Sequence, residues 1–251
     1  MEHTVDINTY FGSWPYWKIE NGEPEKMIAY AAKCGIDELW VSSLRAVLLD
    51  WVDGNEETFR ICSKDPERLF PLITVSPFWV DNVLEMLEEY VARGMCGLRL
   101  IPTFQGYSVG EYEEFLAPLE WASDRQLPIV YSMRLFMNWG MRAGSIADVE
   151  VIAAHAPHSP IILSGVNWGE IMEALTLVER FQNLYFDVSC LALRRGLELL
   201  VQKAGKDRVL FGSALPFQDP SPILAHIRSL PVSAATVKRI LGSNAKSLLM
   251  K

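Results

Sequence analysis

Asp6, Asp187 and Arg99 are the residues of this chain best suited to moving a proton and holding an anion. A carboxylate whose pKa is raised by burial serves as a general base near neutral pH. A planar guanidinium takes a carboxylate or phosphate through two parallel hydrogen bonds and steadies developing negative charge. Asp6 belongs to the stretch Thr-Val-Asp-Ile-Asn-Thr-Tyr-Phe-Gly at 4–12, in which polar side chains recur at Asp6, Asn8 and Tyr10. Alternate residues of a strand share a face, so this spacing gathers three polar groups on one face, towards the strand's end. Ser132, Arg134, Asn167, Ser189 and Ser213 each end or follow a later apolar run. They complete the set of polar candidates for ligand contact, with Asn8 and Asn167 the best placed to hydrogen-bond a ligand.

Positioning such groups requires strands that end at one common face. After 4–12 the chain alternates helical patterns with short apolar runs. Helices are expected over 24–34, 56–63, 81–93, 110–125, 145–155, 169–181, 194–204, 221–229 and 233–241, and strands over 39–43, 69–75, 97–101, 128–133, 160–164, 184–188 and 208–212. Pro24 suits a first helical turn, and Gly35 and Gly94 stop two helices. Short apolar strands alternating with helices make parallel βαβ units, and with the first strand there are eight. No G-x-G-x-x-G follows that strand, which argues against an open dinucleotide-binding sheet. The expected fold is α/β, a single (β/α)8 barrel occupying 1–251 as one domain, with the C-terminal ends of its strands as the seat of chemistry.

Composition supports this. The chain has 251 residues, 50% of them hydrophobic, enough for a sizeable core. A formal net charge of -8 argues against a nucleic-acid partner, which calls for a basic surface. Cys34, Cys62, Cys96 and Cys190 are far apart with no C-x-x-C pair, so neither a zinc knuckle nor a disulfide framework is suggested. Nothing before Thr4 reads as a signal sequence, and no apolar run approaches the roughly 18 residues of a membrane span. A cytoplasmic location with no membrane partner is expected.

Several stretches together resemble the amidohydrolase superfamily, in particular the family-2 amidohydrolase-related proteins. The stretch 4–12 resembles their first strand, D-x-H-x-H or a near variant. Gly97-Leu98-Arg99-Leu100 resembles the fourth strand, which often carries an inward basic residue, and 127–132, 160–165 and 183–189 resemble the fifth, sixth and seventh. Most specific are Val209-Leu210-Phe211-Gly212-Ser213-Ala214-Leu215-Pro216, similar to "LFGSD-x-P", and the segment 240–249, similar to "I-x-x-x-N-A-x-x-L-L".

The resemblance implies a divalent metal held by histidines at the ends of strands one, five and six and an aspartate at the end of strand eight, activating water for hydrolysis. Here those positions are Asn8 and Tyr10, Ser132, Gly165 and Ala214. Of the histidines, His3 starts the first strand, His155 and His158 precede the sixth on the opposite rim, and His226 falls in a helix; none is expected to reach the mouth. Cys190 alone lies there among softer ligands, and a lone cysteine is more often an apolar filler. No metal centre of the family type and no other cofactor is expected.

The loops at the C-terminal mouth are rich in aromatics: Tyr10, Phe11, Trp14, Tyr16 and Trp17, then Phe78 and Trp79, Phe104 and Tyr107, Phe136 and Trp139, Trp168, and Phe217. They suit an aromatic pocket for a small acidic or aromatic molecule, but equally a filled mouth or a dimer interface. The polar groups have structural alternatives too. Arg99 suits a buried ion pair with Asp6 or Asp187, Asp187 and Ser189 suit inherited packing, and Arg45 and Arg142 suit a solvated rim. Of Gln218 and Asp219, which follow the last strand, Asp219 suits a helix cap.

Three functions follow. The first is a metal-free hydrolase or lyase on a small carboxylic acid or lactone, with Asp6 or Asp187 as base and Arg99 steadying charge. The second is a non-catalytic barrel that binds a small acidic or aromatic molecule, and the third a structural or partner-binding barrel with its mouth filled. An unpaired inward carboxylate beside a cavity would mark the first, a cavity without a base the second, and a blocked mouth with an apolar surface patch the third. Family analogy and the aromatic loops point to a homodimer.

Overall fold

Each of the eight apolar runs is a strand: β1 (Val5–Phe11), β2 (Glu38–Ser43), β3 (Leu69–Thr74), β4 (Gly97–Leu100), β5 (Ile129–Ser132), β6 (Ile161–Ser164), β7 (Leu184–Asp187) and β8 (Val209–Leu210). They pair in parallel, each with the next in sequence. The structure is a computed structural model and describes residues 2–78, 81–137, 140, 143–191 and 195–249. Trp79, Trp139, Arg142 and the expected helix start at Arg194 lie outside the described residues.

β8 returns to β1 through Ile7 N–H to Phe211 O (3.1 Å), Ala214 N–H to Asn8 O (2.9 Å) and Tyr10 N–H to Leu215 O (2.8 Å). The chain is a single (β/α)8 barrel. Between the strands run α1 (Pro24–Lys33), α2 (Leu44–Leu48), α3 (Trp51–Cys62), α4 (Val83–Ala92), α5 (Pro102–Gln105), α6 (Glu113–Asp124), α7 (Ile146–His155), α8 (Ile171–Arg180) and α9 (Gly196–Ala204). After β8 come α10 (Pro220–Arg228), α11 (Ala234–Lys238) and α12 (Asn244–Leu249).

The strand period divides the core. Leu39, Val41, Ile73, Leu98, Leu100, Ile129, Leu163 and Phe186 join one large cluster with residues of the helices. Trp40, Leu72, Val130, Ile162 and Leu210 join Val5 and Ile7 in a second cluster inside the barrel, closed from below by Ala245 and Leu248 of α12. Asn244 fixes that helix, its amide donating to Lys206 O (2.8 Å) and Val209 O (2.9 Å). This is the physical role of the asparagine in the closing motif.

Four local departures have identifiable causes. β1 carries an irregularity between Asp6 and Thr9 in its pairing with β2, so strict alternation fails: Ile7 and Asn8 are neighbours in the chain, yet both meet the barrel interior. The helix expected from 56 begins earlier, at Trp51, because Asp50 caps it by accepting from Val52 N and Asp53 N at 3.0 Å. Just before it, α2 is capped by Ser43. β8 pairs only over two residues because the chain then turns against β1, where a Cβ on Gly212 would lie 3.0 Å from both Asn8 Cβ and Asp187 Oδ2.

Candidate functional site

Above the apolar interior the strand ends carry a polar layer. β1 supplies Asn8 and Tyr10, β4 Arg99, β5 Ser132, β6 Ser164 and β7 Asp187, all buried. Arg99 is its centre. Nη1 donates to Asn8 Oδ1 (2.8 Å), to the Tyr10 hydroxyl, and weakly to Ser132 Oγ (3.5 Å), while the guanidinium lies 4.3 Å from the Tyr10 ring centroid. These partners are uncharged, in place of the ion pair with Asp6 or Asp187 that the sequence admits. Its Nε and Nη2 find no hydrogen-bond partner among the described residues. Burial lowers the pKa of Arg99, opposed by Tyr10 and Asp187; a guanidinium stays charged through such a shift. Burial likewise pushes the Tyr10 phenol up, against the pull of Arg99.

The two aspartates differ. Asp187 is saturated: Ser164 Oγ donates to Oδ2, and Ser189 Oγ (2.6 Å), Ser189 N (2.9 Å) and Gly165 N (3.4 Å) donate to Oδ1. Asp6 uses only Oδ1, which accepts from Ser213 N (3.0 Å) and Asn8 N (3.1 Å); its Oδ2 has no partner among the described residues. Burial pushes the Asp6 carboxyl up to about 7, against the hydrogen bonds from Ser213 and Asn8, with Asp187 adding repulsion. It therefore holds or releases a proton near neutral pH.

The remaining candidates divide. Ser189 Oγ accepts from Asn8 Nδ2 (3.2 Å), linking Asp187 to the Arg99 cluster. Ser213 Oγ accepts from Leu215 N (3.0 Å) and shapes the turn after β8. Arg134 forks onto Glu170 at 2.6 and 3.0 Å and bonds Gly165 O. Asn167 Nδ2 meets Met137 Sδ (3.0 Å), and Trp168 is exposed on the rim. Arg45 pairs with Asp53 on the surface, and Asp219 caps α10.

Ser164 and Gln218 were not singled out by sequence as site residues. Ser164 pairs in register with Ser132, so a hydroxyl at the same level of two adjacent strands was the available signal. Gln218 donates to Ser189 O (2.9 Å) and Ser213 O (3.1 Å) and accepts from Met137 N (3.0 Å), tying three loops together.

The aromatic loops pack against one another. Trp14 meets Phe217, Phe136 and Phe104 edge-on at 4.9, 5.7 and 5.8 Å, Phe136 stacks on Phe217 at 4.6 Å, and Phe217 meets Tyr10 at 5.9 Å. With Leu44, Ile101, Leu135 and Ala214 they cap Tyr10. A cavity of about 300 Å³ opens to one side, lined by Met137, Ser189, Cys190, Leu191, Gln218 and His226. His226, expected out of reach of this end, thus borders it, because α10 folds back beside the loop after β7. Burial pushes the Cys190 thiol up to about 12, which keeps it protonated.

The five positions matching metal ligands offer little to a divalent ion. The Asn8 oxygen and the Tyr10 hydroxyl are taken by Arg99, itself a cation. Gly165 has φ +77°, and a Cβ there would lie 2.6 Å from Arg134 O; Ala214 offers a methyl group within the cap. Among the described residues no group of three His, Cys, Asp or Glu side chains converges on a point. These residues do not fit such an ion.

The amidohydrolase family model matches residues 52–250. No curated protein matches the chain by sequence. Among solved structures, an uncharacterised TIM-barrel protein from Bordetella bronchiseptica is 17% identical over 98% of each chain, with a TM-score of 0.76. The 5-carboxyvanillate decarboxylase of Sphingomonas paucimobilis is 12% identical over 99% of each chain, with a TM-score of 0.78. A dihydroxybenzoic acid decarboxylase from Polaromonas, solved with manganese and the inhibitor 2-nitroresorcinol, is 15% identical over 99% of this chain and 97% of its own, with a TM-score of 0.75. At these identities the likeness is one of fold.

Proposed function

The chain belongs to the amidohydrolase family, and we propose that it is a hydrolase or lyase acting on a small carboxylic acid or lactone at a centre that has lost the family's metal. The carrying observation is that a buried carboxyl and a buried guanidinium each keep unused polar atoms: Asp6 Oδ2, and Arg99 Nε and Nη2. Arg99 holds the substrate's anionic or carbonyl oxygen, and Asp6 moves the proton. On a lactone, Asp6 takes a proton from the attacking water, a C–O bond forms, and the ring C–O bond breaks with the proton passing to the departing oxygen. On an aromatic acid, the C–C bond to the carboxyl group breaks, carbon dioxide leaves, and the electron pair left on the ring carbon takes the proton of Asp6. The second course is in keeping with the decarboxylases that share the fold, and no cofactor enters either course.

Asn8, Tyr10, Ser132, Ser189 and Ser213 line or brace this centre. Arg134, Asn167 and Trp168 belong to its rim. Asp187, with both oxygens engaged, positions Ser189 and so Asn8. The ligand is a small acidic or aromatic molecule. The acidic chain, with no helix among the described residues long and apolar enough to cross a membrane, suits the cytoplasm. The exposed Tyr16 and Trp17 suit a homodimer face.

A non-catalytic ligand-binding, structural or partner-binding barrel is the second reading, favoured by the aromatic cap over Tyr10. A panel of hydroxybenzoates and small lactones, followed by product chromatography, separates the two. Turnover that Asp6→Asn and Arg99→Met abolish supports the enzyme; turnover indifferent to both rejects this centre. Ligand-induced thermal stabilisation without turnover supports the non-catalytic barrel.

A further inference from the structure

We propose that the guanidinium of Arg99 is the resident cation of this barrel, held by side chains at the positions where the family's metal ligands fall, and that it excludes a divalent ion from them. Of the five positions, three carry a side-chain oxygen, and all three oxygens meet one nitrogen, Arg99 Nη1: Asn8 Oδ1 at 2.8 Å, the Tyr10 hydroxyl, and Ser132 Oγ at 3.5 Å. The other two, Gly165 and Ala214, carry none. A histidine at 165 would drive its Cβ into Arg134 O, whereas Ala214, at φ +61°, holds a conformation that aspartate tolerates.

The replacement is consistent in charge. A fixed guanidinium faces neutral oxygens, with Asp6 and Asp187 close enough to favour its charged form. A neutral imidazole at 8 or 10 would bring one acceptor nitrogen, whose lone pair can serve a metal or accept from Arg99 but not both. A divalent ion beside a buried guanidinium meets repulsion that the interior screens poorly. The inference does not rest on turnover, since it concerns which cation the barrel holds.

The test is metal analysis after dialysis against zinc and then buffer. Wild-type protein is expected to retain far less than one zinc per chain. The triple variant Asn8→His, Tyr10→His, Ala214→Asp is expected to remain poor in zinc with Arg99 in place and to take up about one zinc per chain when Arg99→Met is added. Near-stoichiometric zinc in wild type overturns the proposal, as does equal zinc in the two variants, whether one per chain or none. Should those variants fail to fold, Arg99→Ala alone decides. Its thermal midpoint is expected to rise by several degrees in millimolar ethylguanidinium and not in ethylammonium at the same concentration. An equal response to the two ions overturns the proposal.

Discussion

Arg99 sits on Tyr10 twice over, with its guanidinium 4.3 Å from the ring centroid and its Nη1 donating to the same ring's hydroxyl. The phenol is thus both floor and acceptor for a charge that has no carboxylate among its hydrogen-bond partners. Tyr10→Phe keeps the floor and deletes the acceptor. It is expected to cost about 2 kcal/mol, the scale of a buried hydrogen bond to a charged group. Tyr10→Leu also removes the ring and is expected to cost more. Urea denaturation of the three proteins checks the order, and equal midpoints for wild type and Tyr10→Phe would rule out the bond.

Asp6 makes stability depend on pH. Its folded pKa, about 7, lies above the ordinary aspartate value of 3.8, so between these values the folded chain keeps a proton that the unfolded chain has released. Its contribution is complete below about pH 4, declines as pH rises to about 7, and is absent above that. The total is on the order of 4 kcal/mol at most. Asp6→Asn keeps an oxygen for Ser213 N and Asn8 N and cannot ionise, so its stability is expected to fall less over that window. Parallel wild-type and Asp6→Asn profiles would show that Asp6 does not titrate there.

The cap depends on Trp14, which meets five aromatic rings. Trp14→Ala is expected to cost about 3 to 5 kcal/mol. It is also expected to speed amide hydrogen exchange at Asn8 and Tyr10 more than at Leu98 and Leu163, on the far side of the strands. Uniform acceleration would mean that the cap serves only global stability.

Asn244 is the tie at the other end. Asn244→Ala strands two backbone carbonyls and is expected to lower stability by about 1 to 3 kcal/mol, whereas Ser247→Ala, whose hydroxyl bonds only Asn244 O, is expected to cost far less. Thermal melts of the pair test this, and equal losses would remove the special role of Asn244.

The eight strands and their helices were legible in sequence because burial on both faces leaves short apolar runs that little else explains. Harder to read were features fixed by neighbours distant in the chain. Asp6, Asn8 and Tyr10 look like an even alternation, but pairing with β2 places an irregularity among them. Arg99 was legible as inward, while the sequence named charged partners for it and the fold brought amide, phenol and hydroxyl instead. Asp6 and Asp187 look equivalent as letters; the serines of β6 and of the loop after β7 occupy one and not the other. Of the aromatic loops expected at the mouth, Trp14, Phe104, Phe136 and Phe217 gather with Tyr10, whereas Phe11, Phe78 and Tyr107 pack between strands and helices; which loop ring goes where is a matter of loop geometry that no local pattern encodes.

The lower seal of the barrel also sets an order in time. Ala245 and Leu248 close the interior that Val5 and Ile7 open, and β1 completes its pairing only when Phe211 and Leu215 arrive. During synthesis, then, a chain that has emerged as far as β7 has most of its strands but neither its final seam nor its base. Its first strand waits, with one edge unpaired, until β8 and the turn after it emerge. Cooperative closure comes late by construction, and the nascent chain is most exposed to wrong partners just before β8 pairs with β1.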